Sequence, residues 1–340
     1  MSTKNRKLLL IRSDFKTVKS TRFEWIINHL LFTPSILSVG LALSLSLTWI
    51  SAGLAQGGSA FIRQVRAMES EKTGLQYPTG LVFSSRATAF YAIDGLVPVE
   101  SPPAATDIIK LTLFARRAGS TRIAAQIKDP INTAFDNKIG RLLILQFPEN
   151  QLLEVREGSD GNLDPKTLIR YDARRFGLQN PQGMTVDPAS GSLFILDAVG
   201  PRIVRVEPGL TGNFDRAVIS EVNLQSTGLV APRGLALDPT TSHLYLVNAA
   251  EQELYELSQT GMVLSNRDLS QFQIGSPQGM IFASSGDQTD DPLQVSLYLA
   301  GSGGAAGKGG GSNSSQGGQR QPATGWRCPE LRSNPGVFSD

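Results

Sequence analysis

The sequence predicts an all-β chain: a β-propeller of four-stranded blades, preceded by one hydrophobic helix. Three observations carry this. A Pro-x-Gly segment recurs five times between Tyr77 and Ala300, with prolines 52, 51, 51 and 45 residues apart. A second apolar run ends in a polar residue 16 positions after the proline in each of the first four copies. Asp, Asn, Pro and Gly cluster between these runs, where they favour tight turns. Self-similarity at a period of about 50 residues marks a repeat architecture.

The first element is the N-terminus, residues 1–33, read as a basic cytoplasmic segment. Residues 1–55 hold seven basic and two acidic side chains, which leaves 25 basic and 28 acidic residues in the remainder. A body with net charge −3 has no basic excess for a nucleic-acid backbone, so nucleic acid is not an expected partner. Residues 34–55 follow as a signal peptide or membrane anchor. No charged residue occurs between Glu24 and Arg63. About twenty apolar and small residues suffice to span a bilayer as a helix. The basic flank would hold the N-terminus inside and place the rest outside. Gly53 and Ala55 also suit a cleavage site before Gln56. Cleavage and retention are both compatible with this pattern, and a buried core helix is the third reading. The expected location is extracytoplasmic, secreted or anchored by that helix, with the membrane as a partner. Residues 56–76 read as a linker.

The repeats fill residues 77–300. Their first strands are Pro78–Ser84, Pro130–Asp136, Pro181–Asp187, Pro232–Asp238 and Pro277–Ala283. Asn132 stands once in place of the glycine. The second strands are Ala89–Asp94, Leu142–Gln146, Leu193–Asp197 and Leu244–Asn248. Third strands such as Arg202–Glu207 alternate polar with apolar residues, as a half-buried strand does. A more polar fourth strand follows, as in Arg216–Leu224. Four antiparallel strands per repeat fit a propeller blade better than a solenoid coil.

The pattern Pro232-Arg-Gly-Leu-Ala-Leu-Asp-Pro, a turn, then Leu244-Tyr-Leu-Val-Asn248 resembles the NHL-repeat and gluconolactonase-like group of six-bladed propellers. The resemblance covers about two-thirds of the chain and implies the fold more than an activity. Lactonase relatives hold a divalent metal with Glu, Asn and Asp. The acidic residues at repeat positions here are all Asp, and no Glu matches that place.

The fifth repeat departs from the others. Acidic residues 284–291 interrupt it, its second strand arrives eight residues late, and residues 301–318 hold nine glycines in eighteen positions. Residues 301–340 read as a Gly/Ser-rich disordered tail. The fifth blade is therefore expected to lack its outer strands and a sixth blade to be missing. Open strand edges would invite self-association. We read the break as a ring continued beyond this chain, with a linker after a five-bladed ring as the alternative.

The variable residue of Pro-x-Gly opens each inner strand near one mouth of the central channel. Thr79, Gln182, Arg233 and Gln278 are therefore the candidate ligand-binding residues; Ile131 occupies the fifth such position. The polar residues ending the second strands, Asp94, Gln146, Asp197 and Asn248, are candidate oxygen ligands for a divalent cation, or caps of local turns. No other cofactor is expected, and no catalytic residue is assigned. One cysteine, Cys328, excludes an intrachain disulfide, and two histidines, His29 and His243, exclude a multi-histidine metal site. The expected function is a non-catalytic binding or scaffold domain for a protein or small molecule. The alternatives are a metal-dependent lactonase-like hydrolase and a propeller fragment without independent activity.

Overall fold

In a computed structural model, the described residues are 7–13, 62–69, 75, 78–94, 106–124, 127, 130–146, 149–272, 274–284 and 295–303. The apolar segment 34–55 and residues 304–340 of the expected tail 301–340 lie outside them, while residues 301–303 are strand. No helix among the described residues is long and apolar enough to cross a membrane.

The strands run in chain order. β1 is Lys7–Ser13 and β2 is Ile62–Glu69. Blade one is β3 (Pro78–Ser84), β4 (Ala89–Asp94), β5 (Thr106–Thr112) and β6 (Arg117–Ile123). Blade two is β7 (Pro130–Asp136), β8 (Arg141–Gln146), β9 (Gln151–Glu157) and β10 (Leu163–Asp172). Blade three is β11 (Pro181–Val186), β12 (Leu193–Asp197), β13 (Arg202–Glu207) and β14 (Val218–Asn223). Blade four is β15 (Pro232–Leu237), β16 (Leu244–Asn248), β17 (Glu253–Leu257) and β18 (Val263–Asp268). β19 (Ile274–Ser284) and β20 (Val295–Gly303) form an antiparallel hairpin. The four complete blades are antiparallel meanders with neighbours in chain order.

The strand patterns follow from position in the blade. β8, β12 and β16 are buried at every residue because neighbouring blades cover both faces. β14 and β18 are mostly exposed because they form the rim. A continuous apolar run therefore marks the second strand and an alternating polar one marks the rim. Burying each Leu, Ile or Phe of those runs contributes about 1.5–3 kcal/mol.

Five hydrophobic clusters sit among the described residues, one in each seam between blades. Leu143 packs with Met184, Leu196 with Leu235, and Tyr245 with Phe282 in the second, third and fourth seams. Ile93 packs with Phe135 in the first seam. The fifth seam joins blade five to blade one through Phe90, Leu81, Tyr298 and Ala300. Phe90 and Tyr298 hold their ring centroids 5.0 Å apart. The ring thus closes on five inner strands, β3, β7, β11, β15 and β19, each beside the next. This corrects the expectation of a gap where a sixth blade would stand.

The glycine of Pro-x-Gly makes so tight a closure possible. A Cβ on Gly183 would lie 2.6 Å from the backbone of Gly234, and one on Gly279 would lie 2.8 Å from the Leu81 nitrogen. Adjacent inner strands meet backbone to backbone there, and no side chain fits between them.

The N-terminal strands alter the reading of the fifth blade. β1 and β2 pair antiparallel, from Lys7 opposite Glu69 to Ser13 opposite Ile62. β1 lies beside β20, so the ribbon stands where the outer strands of a fifth blade belong. Eight residues separate β2 from β3, as they separate β10 from β11 and β14 from β15. The sequence of that connector matches too: Gly74-Leu-Gln-Tyr-Pro78 corresponds to Gly177-Leu-Gln-Asn-Pro181 and Gly228-Leu-Val-Ala-Pro232. Leu75 is buried in the fifth seam, and Leu229 in the third. Strands therefore lie within the segments expected as a basic N-terminus and a linker.

Candidate functional site

The first residues of the inner strands gather at one mouth of the ring. In blade three, Pro181 pairs with Asp197 and Gly183 with Leu196, so Gln182 has no partner opposite it. The same irregularity falls at the variable residue in blades one, two and five. In blade four the shift comes just after Arg233. A bulge of this kind frees a residue from the ladder and re-aims its side chain. Proline suits the first strand position, where its missing N–H breaks no ladder bond.

The structure joins two of the four candidate residues. Arg233 donates from Nη1 to Gln182 Oε1 at 2.9 Å, across the seam between blades three and four. Gln182 Nε2 in turn donates to Asn180 Oδ1 at 2.6 Å. Gln182 and Arg233 are half-buried, and Asn180 is exposed. Among the described residues, no carboxylate lies within ion-pair distance of Arg233. A guanidinium has five N–H donors, and this one has a single neutral amide acceptor among those residues. Thr79 and Gln278 occupy the equivalent positions on β3 and β19, but their side chains, like that of Ile131, lie outside the description.

The polar residues ending the second strands are engaged locally. Asp197 is fully buried. Its Oδ2 accepts from the Gln179 nitrogen at 2.9 Å and from Arg202 Nη2 at 3.0 Å. Its Oδ1 accepts from the nitrogens of Asn180 at 2.8 Å and Val199 at 3.3 Å. Burial alone raises the carboxyl's pKa. The backbone donors of Gln179 and Asn180, with Arg202, outweigh burial and hold the pKa below the usual Asp range. Asn248 accepts from the Val230 nitrogen at 3.2 Å and donates to Glu251 Oε2 at 2.7 Å. Gln146 is buried and bonds Gln151 Oε1 at 3.3 Å. The side chain of Asp94 lies outside the description. Among the described residues, no group of three or more His, Cys, Asp or Glu is placed to hold a metal ion.

Asp197 supports the mouth from beneath. It anchors the backbone of Gln179 and Asn180, and Asn180 receives the amide of Gln182. A buried carboxylate thus orients the loop that positions Gln182, which in turn meets Arg233.

Sequence reasoning missed a second set of charged residues inside the seams. Arg141 is buried between Asp136 Oδ2 at 3.2 Å and Glu154 Oε2 at 3.1 Å. It also donates to the Gly212 carbonyl at 2.6 Å and lies 4.8 Å over the Phe214 ring of blade three. Tyr171 donates to Glu154 Oε2 at 3.0 Å. In blade four, Glu256 meets His243 Nδ1 at 2.7 Å and accepts from Ser265 Oγ at 2.7 Å. A signal existed: Glu154, Arg205 and Glu256 all stand 24 positions after their proline, at the same place in the third strand of their blades. Arg141, Asp136, Glu154 and Tyr171 bond one another in the second seam and act as a structural tie.

No protein-family model matches the chain, and no curated protein matches it. Solved structures do. One, from a nidogen/laminin complex, is 18% identical with a TM-score of 0.45, covering 71% of this chain and 90% of that one. A catalytically inactive virginiamycin B lyase from Staphylococcus aureus, solved with quinupristin, is 14% identical with a TM-score of 0.38. It is matched over 62% of this chain and 63% of the lyase. A luciferin-regenerating enzyme is 10% identical with a TM-score of 0.39, over 68% of this chain and 92% of that one. These proteins differ from one another in role and share a fold with this chain.

Proposed function

We propose that this propeller is a non-catalytic binding module of NHL type that takes an anionic ligand at the mouth, with Arg233 as its anchor. One observation carries the reading: a half-buried guanidinium at the mouth whose hydrogen bond among the described residues goes to a neutral amide. A guanidinium fork matches a carboxylate in two parallel hydrogen bonds. Gln182 presets the side chain's direction, which lowers the entropy lost on binding. On location, the pairing of Lys7–Ser13 with Ile62–Glu69 supports a ring whose N-terminus shares its compartment. Residues 34–55 then act as a membrane contact from one side.

The test is thermal unfolding of the full chain with succinate and with its neutral counterpart succinamide. Succinate is expected to raise the midpoint of the wild type, and succinamide to leave it unchanged. The Arg233→Met chain should lose the succinate response. An equal response to both compounds, or one kept by Arg233→Met, would end the reading.

A further inference from the structure

Blades three and four enter the mouth through matching connectors, and the difference between them falls beside the anchor residue. In blade three, Asp197 holds two backbone nitrogens with its two oxygens, those of Gln179 and Asn180. Asn248 stands in the same place in blade four, paired with Pro232 as Asp197 is with Pro181. An amide has one oxygen where a carboxylate has two. Asn248 Oδ1 accepts from the Val230 nitrogen at 3.2 Å, and its Nδ2 donates to Glu251 Oε2 at 2.7 Å. Val230 corresponds to Gln179 and Ala231 to Asn180, two and one positions before the proline. Among the described residues, the Ala231 N–H meets no acceptor.

The backbone departs from the repeat at that residue. Ala231 lies at φ 74°, in the left-handed region, whereas Asn180 stays outside it. The other non-glycine residues of positive φ among those described, Thr88, Ala115, Asn150, Ser242 and Gln252, all sit in hairpin turns. Ala231 instead leads directly into an inner strand. Gly234 is left-handed as well, at φ 62°, and Gly183 is not. The bond from the next turn back to the connector also lengthens, from 2.9 Å between Ala198 and Asn180 to 3.3 Å between Ala249 and Ala231. A left-handed alanine is strained, and such residues persist only where their surroundings impose them.

The two left-handed residues bracket Arg233. In blade three the ladder skips Gln182. In blade four it keeps Arg233, opposite Val247, and the irregularity moves on to Gly234 and Leu235. The guanidinium held there reaches Gln182 of the neighbouring blade.

We propose that Asn248 and Ala231 are positioning residues of the anion site. By holding one nitrogen instead of two, Asn248 lets the chain turn at Ala231, and that turn seats Arg233 against Gln182. The inference rests on the anion reading above and adds what aims its anchor. An aspartate at 248 would hold Ala231 as Asp197 holds Asn180, return the connector to the path of blade three and draw Arg233 away from Gln182.

The experiment measures the succinate affinity of the full chain from its unfolding midpoint at a series of succinate concentrations. Asn248→Asp should bind succinate about tenfold more weakly. Ala231→Val should show a similar loss with no change of charge. A β-branched residue fits the left-handed region poorly, and affinity falls with the fraction of chains in the competent conformation. Ala231→Gly should stay within about twofold of the wild type, because glycine takes that conformation freely. A purely structural role would lower the midpoint of Ala231→Val without succinate and leave its affinity unchanged. Equal affinities in the Val and Gly variants would overturn the proposal, and so would wild-type affinity in Asn248→Asp. A wild type that ignores succinate, or an Arg233→Met chain that still responds, would end the anion reading itself and this inference with it. A response lost in Arg233→Met but kept in Asn248→Asp and Ala231→Val would leave the anion reading standing and end this inference alone.

Discussion

Blades three and five are built from the same repeat and differ in how their strands are supplied. Blade three takes β11 to β14 from one continuous stretch, Pro181–Asn223. Blade five takes a hairpin from Ile274–Gly303 and sets beside it a ribbon from Lys7–Ser13 and Ile62–Glu69. The first kind of blade needs only short turns. The second must bring both ends of the described chain together and close a 48-residue connection between β1 and β2. Loop closure of that length costs about 2 kcal/mol more than a four-residue turn. In return the ring leaves no bare edge on β20, where an unpaired strand would recruit other chains. The contrast teaches that the blades carry local stability and the fifth seam carries the closure.

The largest expected effect sharpens the continuous side of this contrast. Arg141→Ala takes the buried cation from Asp136 and Glu154 in the second seam, where both are almost wholly buried and Glu154 keeps only Arg156 and Tyr171. Removing one partner of a buried ion pair costs about 3–5 kcal/mol. Urea unfolding should show that loss, and a change below about 1 kcal/mol would show that the seam does not depend on the pair.

Next is Gly279→Ala in the closing seam. Its Cβ would meet the Leu81 nitrogen at 2.8 Å, whereas a Cβ on Gly119 meets nothing within 4 Å. Overpacking costs about 1–3 kcal/mol, so Gly279→Ala should lower stability by that amount. Gly119→Ala should be neutral or gain up to about 1 kcal/mol. Similar unfolding midpoints for the two variants would break the argument that the inner strands touch backbone to backbone.

Deleting residues 1–13 tests the composite blade directly. β2 would lose its partner, and the β19–β20 hairpin would lose its neighbour. An isolated hairpin is marginal in water, so its local opening should become easier by roughly 2 kcal/mol. Hydrogen exchange should speed up in residues 274–303 and stay slow in 181–257. Uniform acceleration across all blades would mean that ring and ribbon unfold as one unit.

The smallest effect is set by acid. Asp197 has a folded pKa below its unfolded value, which is near 3.8. Its carboxylate therefore stabilises the fold above the unfolded pKa, and that contribution disappears as pH falls through the folded value. Asp197→Asn should lower stability at neutral pH by about 1–2 kcal/mol and flatten the acid limb of the stability profile. In blade five, Gly301 takes the pairing with Pro277 that Asp197 takes with Pro181, so that end has no carboxylate to titrate. An unaltered acid limb in the variant would show that another group controls the seam.

Much of the architecture was legible because it is local. The alternation in Arg202–Glu207, the apolar run Leu193–Asp197 and the turn at Asp187-Pro-Ala-Ser-Gly each depend on near neighbours. The spacing of 16 from Pro181 to Asp197 reflects one hairpin whose ends pair. The candidate residues Gln182 and Arg233 were legible as positions at the mouth. Their hydrogen bond was not, because it joins side chains 51 residues apart. The connector around Leu75 had a readable signal in its likeness to Gly177–Pro181. Its value emerges only once β2 is known to precede it as a rim strand.

The sequence by itself determined the repeat, the four-stranded meander and the polar rim, because hydrogen-bonded turns and side-chain alternation act over a few residues. The tertiary structure decided the number of blades and the role of the N-terminus. Closure depends on how five seams add up around a ring, and on whether Gly279 can meet the backbone at Gly80 and Leu81, about two hundred residues away in sequence. No local pattern encodes that meeting. It follows from the close approach of inner strands that lack side chains at the waist.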